Sequence, residues 1–95
     1  MAFEIILAPE AIRDLRKLRA NLRTGVRDAI ERHLRHQPTK TSKAGIKRLR
    51  GVSRPQFRLR VGDMRVFYDV VGTEVHILAV VSKEQVESWL REVGE

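Results

Sequence analysis

Three runs of alternating apolar and polar residues, separated by two glycine-led pairs, constrain the second half of this chain more than any other feature. QFRLRV at 56–61 is followed by Gly62 and Asp63, MRVFYDVV at 64–71 by Gly72 and Thr73, and EVHILAVV closes the series at 74–81. Period-two alternation belongs to strands that bury one face, and a two-residue turn containing glycine closes a tight hairpin because its backbone needs positive φ. A three-stranded antiparallel meander is the expectation. With Gly62 and Asp63 at the first tip, Val61 opposes Met64, Arg60 opposes Arg65, Leu59 opposes Val66, Arg58 opposes Phe67 and Phe57 opposes Tyr68. Opposed residues point to the same side of a sheet. Phe57, Leu59, Val61, Met64, Val66 and Tyr68 therefore make an apolar face, and Arg58, Arg60, Arg65 and Phe67 share the other.

The first half is mostly helical in period. AFEIILA at 2–8 reads as a short strand with Phe3, Ile5 and Leu7 on one face, and Pro9 suits the first turn of a helix. Ala11, Ile12, Leu15, Leu18 and Leu22 then recur at helical spacing, backed by Arg13, Asp14, Arg16, Lys17 and Arg19. A break over residues 21–25 precedes a second stripe of Val26, Ala29, Ile30, His33 and Leu34, which Pro38 forbids from continuing. TKTSKAG at 39–45 has no period and reads as a loop. Ser82 with Gln85 resembles a capping box, and Val86, Trp89, Leu90 and Val93 supply the apolar stripe of a last helix. The result is an α+β chain: an N-terminal strand and helical hairpin packed on an antiparallel sheet, with a C-terminal helix. At 95 residues it is expected to form one domain, 1–95, whose core is too small to spare room for a deep pocket.

Charge speaks to partners. Nineteen Lys and Arg against twelve Asp and Glu leave a formal charge of +7, a field that gathers phosphates and other anions. No membrane partner is expected, because the longest apolar run, Ile77 to Val81, is far too short to span one. Glu4 interrupts the opening segment where a secretion signal needs an apolar core, so a cytoplasmic protein is expected. Cysteine is absent, which removes disulfides, thiol nucleophiles and cysteine metal sites.

Three arginines on adjacent positions of one strand pair repel one another, at a cost of several tenths of a kcal/mol per opposed pair. A phosphate backbone compensates them well, since each guanidinium presents a planar fork of donors that matches phosphate oxygens. Phe67 beside them is expected to offer a stacking surface for an unpaired base. The histidines carry less. His33 and His36 lack a third ligand at a convincing spacing and read as one partly buried and one solvated residue, so no metal and no cofactor is expected. His76 would face Asp69 across the second hairpin, either as a general acid–base pair or as a plain cross-strand contact.

The stretch LRGVSRPQFRLRVGDMRVFYDVV, followed by EVHILAVVSK and a closing helix, resembles the RelE/ParE superfamily of type II toxin–antitoxin toxins. The likeness follows the element order of nearly the whole chain and is most specific at FRLRVGDMRVFY, residues 57–68. It implies the small RelE-like fold and a toxin held in a hetero-oligomer by a cognate antitoxin. RelE-like members are metal-independent endoribonucleases that cut mRNA in the ribosomal A site, whereas ParE-like members poison DNA gyrase. The resemblance leads to the first activity, with gyrase inhibition or a catalytically weak nucleic-acid-binding relative as the alternative. Carried over by position, Arg65 matches the family's phosphate-stabilising arginine, and Arg58 and Arg60 fall where RelE-like enzymes carry basic residues. Lys83 falls near a further basic residue of the C-terminal segment, and Trp89 about where a tyrosine stacks on the substrate.

There are departures from the pattern. Cleavage by a 2′-hydroxyl needs a proton acceptor, a proton donor and positive charge at the phosphorane, and arginine supplies only the charge. Proton transfer is then left to Lys83, a histidine or the ribosome, and Lys83 reads equally well as an ordinary first-turn helix residue. Trp89 also belongs to the apolar stripe of its helix, where packing is its alternative role. A face with Arg58, Arg60 and Arg65 but no lysine keeps the non-cleaving alternative open. The histidine–arginine and tyrosine ending of many active relatives is missing.

Overall fold

A computed structural model of the chain describes residues 2–43 and 45–94. Its elements are β1 (Glu4–Leu7), α1 (Pro9–Arg16), α2 (Ala20–Leu34), β2 (Ile46–Arg48), β3 (Phe57–Val61), β4 (Met64–Val71), β5 (Glu74–Ser82), a 3₁₀ turn (Lys83–Gln85) and α3 (Val86–Val93). The strands form one sheet in the order β1-β5-β4-β3-β2.

The first hairpin has the register that its turn dictates, and the second keeps its own from the turn as far as Tyr68. Gly62 and Gly72 take φ values of 58° and 60°, which tight turns demand and other residues resist. Phe57 pairs with Tyr68, Arg58 with Phe67, Leu59 with Val66, Arg60 with Arg65 and Val61 with Met64. Between β4 and β5 the ladder slips once: Ala79 opposes Phe67 and Ile77 opposes Tyr68, so Leu78 has no partner. Such a bulge bends the strand locally.

The sheet departs from expectation in two ways. It is mixed rather than antiparallel, because β1 lies parallel to β5 once α1 and α2 have carried the chain across the face. It also has a strand that the sequence pattern did not reveal, β2, antiparallel to β3 with Lys47 opposite Arg58. Three residues are too few to display a period. The helical break also falls earlier than expected, at residues 17–19, with Gly25 inside α2. The Arg23 guanidinium holds the break: it donates from Nε to the Leu15 carbonyl (3.0 Å) in the last turn of α1 and from Nη2 to the Leu18 carbonyl (2.9 Å) in the connection.

One face of the sheet is the main core. Phe57, Leu59, Val66, Tyr68 and Ile77 bury there against Leu15, Val26, Ile30 and Leu34 of the helices. Phe57 and Tyr68 stack at 5.4 Å, which adds about 1 kcal/mol beyond burial. The buried Tyr68 hydroxyl donates to the Pro38 carbonyl (2.6 Å), tying the loop after α2 to the sheet. On the other face a smaller cluster of Phe67, Ala79 and Val81 lies under Leu49 and under Val86, Trp89 and Leu90 of α3. Thus α3 covers the back face over β4 and β5, and the β2–β3 side carries charge instead.

Two carboxylates fasten the edges. Asp14 of α1 accepts the backbone N–H of Val80 (2.9 Å), closing the stretch of β5 that extends past β1. Asp69, buried in β4, accepts the N–H of Gln56 (2.7 Å) and Nε of Arg54 (3.1 Å), and so anchors the segment that joins β2 to β3.

Candidate nucleic-acid interface

Hairpin register builds the site. Arg58 and Arg60 alternate with the core residues Phe57, Leu59 and Val61 on β3, so both point away from α1 and α2, to the face that α3 covers over β4 and β5. Arg65 opposes Arg60, and Lys47 opposes Arg58 from the far side. Four cations from three adjacent strands thus share one face. Among the described residues none of the four forms an ion pair with a carboxylate.

Each is held differently. Arg60 is exposed. Arg65 folds along the turn, where one terminal nitrogen donates to the carbonyls of Gly62 (2.8 Å) and Met64 (2.9 Å). Arg58 is half-buried; its Nη2 reaches the Gly45 carbonyl only at 3.4 Å, and its buried Nε has no acceptor among the described residues. Burial holds the Arg58 guanidinium below the ordinary arginine range, and the nearby charges of Arg65 and Arg60 push it the same way. A patch in this state gains by taking up an anion, which screens the cations and offers acceptors to unused N–H groups.

The remaining expected residues lie elsewhere or do something else. Phe67 is fully buried and stacks on Trp89 at 4.7 Å with 14° between the rings, so its surface is closed to a base. Alternation places Phe67 on the arginine side correctly but does not say that α3 will lie on it. Trp89 is half-buried with its Nε1 enclosed and without a partner among the described residues, and it packs against the sheet. Lys83 sits by the hairpin tip with Nζ 3.4 Å from an Asp63 carboxylate oxygen. His76 does oppose Asp69 in register, yet its Nε2 bonds to Glu74 (2.9 Å) while Asp69 is committed to Gln56 and Arg54. His33 is exposed rather than partly buried. Lys47 is the member of the face that sequence reasoning missed, because its strand is so short. With Lys47 present, the face is not without lysine.

The chain matches the family described as the ParE toxin of type II toxin–antitoxin system, parDE, over residues 5–87. Among solved structures it is similar to the toxin–antitoxin complex RelBE2 from Mycobacterium tuberculosis, at 27% identity and a TM-score of 0.71, covering 86% of this chain and 99% of that one. It also shares its fold with the RelB–RelE antitoxin–toxin complex from Methanococcus jannaschii (20% identity, TM-score 0.69, covering 88% and 96%). The same holds for a mutant of E. coli toxin RelE in the free state (18% identity, TM-score 0.59, covering 98% and 99%). No curated protein matches the chain.

Proposed function

The chain belongs to the ParE toxin family of type II toxin–antitoxin systems, within the RelE/ParE superfamily, and from that premise we propose that it is a ribosome-dependent mRNA endoribonuclease. The observation that carries this reading is the strip of Lys47, Arg58, Arg60 and Arg65, exposed in part and without carboxylate partners among the described residues. Its cations fit an RNA phosphate. Attack by a 2′-hydroxyl forms the 2′-oxygen–phosphorus bond and breaks the bond to the 5′-oxygen, with charge building on the phosphorane between. Arg65, Arg58 and Arg60 meet that charge. Arginine stays protonated, so proton transfer to and from the two oxygens falls to lysine: Lys47 beside Arg58, and Lys83 once it leaves Asp63. A cognate antitoxin silences the toxin in a hetero-oligomer, and the protein acts in the cytoplasm, where ribosomes translate.

A second reading is gyrase poisoning, favoured by the family description itself, which is that of ParE. One experiment separates the two. Induction of the chain alone should arrest growth, purified protein on translating ribosomes should cut messages within A-site codons by primer extension, and Arg65→Ala should lose both effects. Growth arrest with intact messages and accumulating double-strand breaks would establish the gyrase reading instead.

A further inference from the structure

Between Glu31 and Asp63 the chain carries ten Lys and Arg and not one acidic residue. The strip on the sheet accounts for only three of them, Lys47, Arg58 and Arg60. Four cations, Lys43, Lys47, Arg48 and Arg50, line a shallow groove of about 490 Å³ around β2, together with Thr41 and Ser42. Lys47 belongs to both surfaces, since it opposes Arg58 in the β2–β3 register and also borders this groove. The turn before β2 joins them further: the Gly45 carbonyl accepts from the Arg60 N–H (3.1 Å) and faces Arg58, while the Ser42 N–H donates to the Ile46 carbonyl (2.9 Å). Arg48 is anchored over the Phe57 ring at 5.1 Å. Lys43, Lys47 and Arg50 are exposed and pair with no carboxylate among the described residues.

We propose that the groove of Lys43, Lys47 and Arg50 is an extension site that holds the phosphodiester backbone of the same single-stranded RNA several nucleotides from the bond to be cut. The proposal rests on the RNA reading above. A strand laid across Arg65, Arg58 and Lys47 crosses β4, β3 and β2, about 10 Å at ordinary strand spacing, and leaves the sheet at this groove. The chemistry favours a polyanion over a protein partner: Ile46, the apolar residue of the lining, is buried, and a protein interface needs an apolar centre.

The test uses the full chain and 2′-O-methyl RNA, which binds without being cut, in lengths of roughly four and roughly twelve nucleotides, within the span that small single-strand sites occupy. Affinity is followed by fluorescence anisotropy against salt. Each lost phosphate contact lowers the slope of log affinity against log salt by about 0.7 for single strands, so Lys43→Ala with Arg50→Ala should lower it by about 1.4 on the long strand. The short strand, held by the sheet face, should keep its slope. An unchanged long-strand slope overturns the extension site alone, as does an equal fall on both strands, which would mean that the pair supports the face rather than prolongs it. Polyglutamate of matched length competing as well as RNA would transfer the groove to an acidic protein. If the unaltered chain binds neither strand, the extension site falls, while the RNA reading still stands or falls on cleavage at translating ribosomes. Lys43→Gln with Arg50→Gln repeats the measurement with the side-chain stems retained.

Discussion

Replacing Arg58 with methionine should make the protein more stable and a poorer RNA binder at once. The stem of Arg58 is packed and its head is not satisfied: Nε is buried without an acceptor among the described residues, and the guanidinium lies near those of Arg65 and Arg60. An unmade buried hydrogen bond costs about 1–3 kcal/mol, and each opposed like charge adds about 0.2–1 kcal/mol. Against this stands the long contact to the Gly45 carbonyl at 3.4 Å, which contributes less than about 1 kcal/mol. Methionine keeps most of the stem's volume, and solvent screening of the half-exposed head trims the electrostatic part. The net gain is about 1 kcal/mol, which in a domain of this size raises the melting temperature by roughly 4–8 °C. Thermal melts read by circular dichroism measure it, and the gain should shrink as salt screens the arginines. RNA affinity of the same variant should fall. A melting temperature that drops or stays level in Arg58→Met would refute the claim that this face is strained by its own charge.

Two further perturbations bear on the scaffold. Burial pushes the Tyr68 hydroxyl above its ordinary value of 10.0. Above that pH the unfolded chain loses a proton that the folded chain keeps, so stability should fall as pH rises beyond it; Tyr68→Phe should remove that part of the fall while costing about 1 kcal/mol at neutral pH. Tyr68 is the sole tyrosine, so ultraviolet titration reads it directly, and ionisation at the ordinary pH in the folded chain would contradict its burial. Asp69→Ala should lower stability by about 3 kcal/mol in urea unfolding, since it strands the Gln56 N–H and releases Arg54. An unmoved urea midpoint would show that the segment before β3 is held by something else.

Much of the architecture is legible in the amino-acid sequence, for a reason that differs between elements. The first hairpin's register followed from its glycine-led turn and the second's did so as far as Tyr68, where a bulge that the pattern does not announce shifts it, and the two faces followed from alternation, which is a property of the backbone itself. The same logic put Arg58, Arg60 and Arg65 together. The helical pair was less legible: Leu18 and Leu22 fit the first stripe by spacing, yet a side chain from the second helix, Arg23, holds an earlier break.

What amino-acid order alone determined, then, is local: where strands turn, which side of each strand is apolar, and an acid-free basic stretch from residue 32 to 62. Tertiary structure decided what lies over and beside those faces. It set β1 parallel to β5, placed Lys47 next to Arg58, closed Phe67 under Trp89, and gave Asp69 to Gln56 and Arg54 rather than to His76. Periodicity records the side to which a residue points, because that repeats with the backbone. Cover and charge pairing depend on residues far along the chain, and those meet only when the sheet closes and the helices settle on it.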